Sequence, residues 1–197
     1  MTRTELFDPE TLTEEQRALY DELRSGPRVN PNRPGGPVDI HGRLTGPFNA
    51  MLHSPRIGGP LQRLGAALRY ESSIDDRVRE MVILLIAGHY DCAVERVAHQ
   101  RIGRRLGIGE ETLATLDRAE VPASFDEGTH ESAAPALELA ERMLTRKLPD
   151  DAEFEQLKDQ LGPDGVFEIS SLVGYYWALA NQLNLFAVQP ADHGPGA

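Results

Sequence analysis

Residues 73–106 read SIDDRVREMVILLIAGHYDCAVERVAHQRIGRRL, and the architecture is built outward from them. Ser73 is a good N-cap, with Asp76 three residues on, for a helix running through Arg79 and Glu80 into the apolar run Met81–Ala87. That run is far too short to span a bilayer, so it predicts a buried central helix. Asp91 caps the helix that follows, which ends at Leu106 before Gly107.

On either side the periodicity predicts helices and turns with no convincing strand, giving an all-α fold class. Residues 9–24 read as a short amphipathic helix. Residues 25–48 hold most of the turn formers, including Asn30-Pro31-Asn32-Arg33-Pro34-Gly35-Gly36-Pro37 and Thr45-Gly46-Pro47, and predict an irregular segment wrapping the body. Ile57, Leu61, Leu64 and Leu68 place an amphipathic helix over 56–70. Further helices fit 109–119, 131–147 and 150–161. A last one, over about 164–188, contains Glu168, Asn181, Gln182 and Asn184 among its apolar residues and predicts a core or subunit-interface helix.

The chain has 197 residues and a formal net charge of −11, enough length for one core without staples. A single cysteine, Cys92, excludes an intramolecular disulfide and a Cys-x-x-Cys redox or zinc site. The acidic balance argues against nucleic acid and anionic membrane as partners. No apolar leader follows Met1, so a cytoplasmic location is expected. The charge is uneven: residues 56–108 carry nine basic and six acidic groups, and all nine are arginines. Arg96, Arg101, Arg104 and Arg105 read most simply as the solvated face of one helix.

With about 100° per helical residue, Cys92, Glu95 and His99 fall within an arc of roughly 60°. The apolar stripe of the same helix, Val94, Ala98, Ile102 and Leu106, overlaps that arc, so Glu95 points toward the apolar side with His99 at its edge. A buried carboxylate must neutralise itself or find a donor, and His99 stands one turn away. If the two helices pack as neighbours, Glu80 reaches the same face. Two acids and an imidazole in a poorly hydrated pocket push one another's pKa values apart, which creates an acid and a base near neutral pH. A buried Glu–His hydrogen bond is the plainer alternative.

The spacing of Glu80, Cys92, Glu95 and His99 resembles the signature of the alkylhydroperoxidase D / carboxymuconolactone decarboxylase superfamily. The flanks agree: Gly46-Pro47-Phe48-Asn49 and His53-Ser54-Pro55 before it, and Leu106-Gly107-Ile108, Glu110-Glu111 and Leu172-Val173-Gly174-Tyr175-Tyr176 after it. The resemblance covers residues 46–188 as one domain, preceded by an N-terminal helix and wrapping segment (1–45) and followed by a frayed tail (189–197). It implies an all-helical homo-oligomer, commonly a trimer or hexamer.

Peroxidase members carry a second cysteine where this chain has Glu95, so the resemblance is closer to the decarboxylase branch, a lyase chemistry that needs no thiol. It implies a small acidic substrate, with His99 as general acid, Glu95 as its orienting partner and Glu80 as a second proton-transfer group. A one-cysteine peroxidase using Cys92, and a non-catalytic oligomer binding a small ligand, are the alternatives. His53, His89 and Tyr90 are weaker candidates for the pocket wall. No metal motif and no nucleotide-binding glycine loop is present, so neither metal nor cofactor is expected.

Overall fold

The computed structural model describes residues 2–26 and 38–190. Among them are eight helices: α1 (Glu14–Ser25), α2 (Gly46–Met51), α3 (Pro55–Tyr70), α4 (Asp76–His89), α5 (Ala93–Arg105), α6 (Glu110–Asp117), α7 (Ala133–Thr145) and α8 (Asp151–Leu185). The only β pairing among the described residues is an isolated Val38–Leu44 bridge, so the fold is all-α as expected.

Several boundaries move for local reasons. The central helix is capped by Asp75, which accepts from the amides of Arg77 and Val78. The Ser73 hydroxyl donates instead to Glu168, which also takes the Ser73 amide and the Ser72 hydroxyl. Cys92, not Asp91, sits at the N-cap of α5, while Asp91 adopts a left-handed conformation with φ 47° in the turn. Pro9–Thr11 form a separate 3-10 turn, and α1 starts after Thr13, which forms a capping box with Gln16. Thr45-Gly46-Pro47, read as irregular, opens α2, because proline in the first turn gives up only an amide that has no helical partner. Within α8, Gly162 at φ 73° breaks the helical path, so residues 151–161 and 163–185 are two arms, close to the two helices expected. Residues 27–37 of the expected wrapping segment and 191–197 of the frayed tail lie outside the described residues.

The chain divides into two compact units, residues 1–66 with 182–197, and residues 67–181. In the first, α1 buries Leu19, Tyr20 and Leu23, and the Tyr20 hydroxyl donates to the Gly42 carbonyl at 2.7 Å. The Asn49 side chain ties the N-terminal segment down, accepting from the Phe7 amide and donating to the Glu5 carbonyl.

In the second unit α4 is the axis. Every residue from Val78 to Ala87 is buried, and α5, α6 and α7 pack around it. Full burial of each large side chain contributes about 1.5–3 kcal/mol of transfer free energy, so this one run dominates the core. Gly88 makes the α4–α6 crossing possible: a Cβ there would lie 3.0 Å from the Ala119 amide and 3.1 Å from the Asp117 carbonyl, and closer still to that of Leu116. The short connection after it folds α5 back along α4, with the Cys92 amide donating to the Ala87 carbonyl at 2.9 Å.

α5 turns Glu95 and His99 inward as expected, but its buried face is rotated away from the apolar stripe. Its buried residues are Glu95, His99 and Gly103, whereas Val97 is 45% exposed and Ala98 is also exposed. The stripe through Val94, Ala98, Ile102 and Leu106 is not the buried face. Close packing explains the choice: Gly103, whose Cβ would lie 3.1 Å from Leu113 and 3.3 Å from Ile108, lets α5 approach its neighbours. His99 and Glu95 lie four and eight residues earlier on the same face.

Candidate functional site

Glu80 lies in the second turn of α4 and is fully buried, while Glu95 and His99 are each 5% exposed. The antiparallel α4–α5 pairing brings all three together. His99 Nδ1 is 2.5 Å from Glu80 Oε2, and His99 Nε2 is 3.0 Å from Glu95 Oε2. With a carboxylate on each ring nitrogen, the arrangement fits an imidazolium that donates both protons. Burial alone would push His99 down, but the charges and hydrogen bonds of Glu80 and Glu95 outweigh it and raise its pKa from 6.5 to about 9. Glu80 shows the converse. Burial pushes it up, yet His99, Arg69 and Arg79 together hold its carboxyl below the usual value.

Three residues that sequence reasoning did not place complete the cluster. Arg69, from the last turn of α3, brings Nη1 to 3.5 Å from Glu80 Oε1, and Arg79 brings Nε to 3.8 Å from the same oxygen. Arg79 is 5% exposed, and its Nη2 pairs with Asp76 at 2.7 Å. Glu80 Oε1 accepts no hydrogen bond among the described residues. The Tyr176 ring, from the second arm of α8, stands edge-on to His99 with centroids 5.4 Å apart. Its phenol is pushed well above its ordinary range, first by burial and then by Glu95, Tyr175 and Glu80. A clue to Arg79 was available in its place directly before Glu80. Arg69 and Tyr176 come from distant segments and have no such local signal.

The other sequence candidates lie elsewhere. Cys92 is buried at the start of α5, where desolvation raises its thiol to about 11 although the Glu95 and Val94 amides favour the thiolate. His89 and Tyr90 sit at the far end of α4 with rings 5.1 Å apart; His89 is nine residues from Glu80, about 13 Å of helical rise. His53 belongs to the first unit, between the rings of Phe7 at 4.8 Å and Phe186 at 5.9 Å, beside a surface hollow that Thr4, Asp8 and Thr11 also line. Arg96 pairs with Asp91 and Asp117, and Arg104 with Glu110, so these two arginines form surface ion pairs as the plainer reading held. Among the described residues no group of three or more His, Cys, Asp or Glu side chains has the geometry to hold a metal ion. No helix there is long and apolar enough to cross a membrane.

No protein-family model matches the sequence, and no curated protein matches it. Solved structures do. An uncharacterized peroxidase-related protein from Silicibacter sp. TM1040 superposes with a TM-score of 0.70 at 16% identity, over 97% of this chain and 92% of that one. A peroxidase-related protein from Ralstonia eutropha JMP134, described as an alkylhydroperoxidase AhpD core, gives 0.69 at 17% identity, over 97% and 93%. The chain has the AhpD-like fold. Within this fold the debrominase Bmp8 also matches, with a TM-score of 0.64 at 11% identity over 91% of this chain and 87% of its own. The AhpD-like fold by itself thus names no chemistry for this chain, and the site residues must speak for it.

Proposed function

We propose that this AhpD-like chain is a carboxymuconolactone decarboxylase-like enzyme acting by proton transfer on a small carboxylate- or lactone-bearing substrate. The observation that carries the reading is His99 held through both nitrogens between Glu80 and Glu95. An imidazolium kept charged at neutral pH is a general acid with its proton in place. Loss of carbon dioxide from a lactone acid leaves the bonding electron pair delocalised as an extended enolate. His99 Nε2 supplies the proton to that carbon skeleton, directly or through Glu95, and the neutral imidazole regains one from solvent.

Depth favours a different division of roles from the one spacing suggested. Glu80, fully buried and close to Arg69 and Arg79, suits the orienting role. Glu95 and His99, each with 7% of its side chain exposed, are less deeply buried than Glu80 and suit the roles nearer a substrate. Entry then requires buried side chains to move, and Tyr176, packed edge-on against the His99 ring, is one that covers it.

The same burial favours a second reading, in which the trio is a polar clamp between α4 and α5 in a non-catalytic protein. An antioxidant role draws support from the peroxidase-related neighbours, but it needs a Cys92 thiolate, and burial disfavours that form. Self-association belongs to the proposal as well: Phe167 and Trp177 on α8 are 72% and 48% exposed.

Purified protein assayed against lactone acids and against hydroperoxides, with His99→Gln and Cys92→Ser beside it, tests the proposal. Lactone decarboxylation lost in His99→Gln and retained in Cys92→Ser is the expected result. Peroxide reduction lost in Cys92→Ser would transfer the function to the thiol. A well-folded wild type inactive on both classes would leave the clamp.

A further inference from the structure

We propose that Arg69 is the specificity-determining residue of this site, receiving the substrate's carboxylate and selecting anionic over uncharged ligands. The inference rests on the proton-transfer reading of Glu80, His99 and Glu95, and deepens it by naming the cation that meets the substrate.

The charges of the cluster single Arg69 out. Three cations, His99, Arg69 and Arg79, face two buried carboxylates, Glu80 and Glu95. His99 is engaged on both nitrogens, and Arg79 is claimed by Asp76 at 2.7 Å. Arg69 reaches Glu80 Oε1 only at 3.5 Å, and that oxygen accepts no hydrogen bond among the described residues. The Arg69–Glu80 pair is therefore attractive without being closed, which leaves most of a guanidinium fork uncommitted to the carboxylate beside it.

Accessibility points the same way. The Arg69 side chain is 22% exposed, against 6% for Arg79 and none for Glu80, so it is the cluster's cation that solvent reaches. Tyr70 holds the guanidinium from one side, its ring centroid 5.9 Å away. On the other it faces Glu80, whose second carboxylate oxygen stands 2.5 Å from His99 Nδ1. An anionic ligand that pairs with Arg69 is thereby brought next to the proton donor. A guanidinium suits this task because it matches two carboxylate oxygens at once.

Binding of paraconate, a saturated lactone carboxylate, and of its uncharged methyl ester is measured by calorimetry on the wild type, Arg69→Gln, Arg69→Lys and His99→Gln. Wild type should prefer the carboxylate by at least about tenfold, as expected for one charge-assisted contact. Arg69→Gln should lose that preference while still binding the ester, and Arg69→Lys, which keeps the charge and the fold, should retain only part of it. Unchanged preference in a folded Arg69→Gln, or in Arg69→Lys if the glutamine variant fails to fold, overturns the proposal, as does a wild type with no preference. The two readings fail separately. Arg69-dependent preference in a protein that decarboxylates no lactone acid would sink the enzymatic reading alone, and His99-dependent turnover with an Arg69-independent preference would sink this one alone.

Discussion

Replacing Glu80 by glutamine keeps the shape of the side chain and removes the charge that holds His99 protonated. The His99 pKa stands at about 9 against 6.5 when unperturbed, which corresponds to about 3 kcal/mol of linked stability. Because the folded value is raised, that contribution is fully present below the unfolded value of 6.5 and is lost as the pH rises through about 9. Glu80 is held below 4.5, so its own contribution is present above that pH and fades as acid protonates it. In Glu80→Gln, burial pushes His99 down with only Glu95 to oppose it, while Arg69 and Arg79 lose their shared carboxylate. Breaking a buried pair in this way costs about 3–5 kcal/mol, a large part of a total of about 5–15. Urea unfolding followed by the fluorescence of Trp177, the single tryptophan, reads both effects. Between about pH 6 and about pH 10 the wild type should lose about 3 kcal/mol more than the variant does. Two stability curves falling in parallel over that range would refute the reasoning, because the loss would then come from groups outside the trio.

Two other outcomes follow from particular side chains. With its thiol raised to about 11, native Cys92 should have only about one thiolate in a thousand at pH 8, so iodoacetamide should label it far more slowly than in urea; equal rates, read by mass spectrometry, would contradict its burial. Gly88→Ala should force α4 and α6 apart, since the new methyl would meet the backbone of Leu116, Asp117 and Ala119. A loss of about 1–3 kcal/mol in thermal or denaturant unfolding is expected, and an unchanged midpoint would contradict the close crossing.

Local pattern by itself determined much of this protein. The helical periods, the apolar run Met81–Ala87 that makes α4 the axis, and the bringing together of Glu80, Glu95 and His99 by the turn after Gly88 all follow from residues near one another in the chain. Hydrogen-bonding needs and side-chain spacing act over one or two turns, so they are written in the order of the residues. The Asp75 and Cys92 N-caps were less legible because several polar residues competed for each position.

Tertiary structure decided what spacing could not. It set how far the inward face of α5 turns from the apolar stripe, because Gly103 allows the close approach beside Leu113 and Ile108. It made Glu80 rather than Glu95 the deepest acid. It also brought Arg69 and Tyr176 to the trio from segments far away in sequence. Electrostatic balance in a buried site depends on every charge within a few ångströms, whatever its place along the chain, and only the packed fold fixes that set.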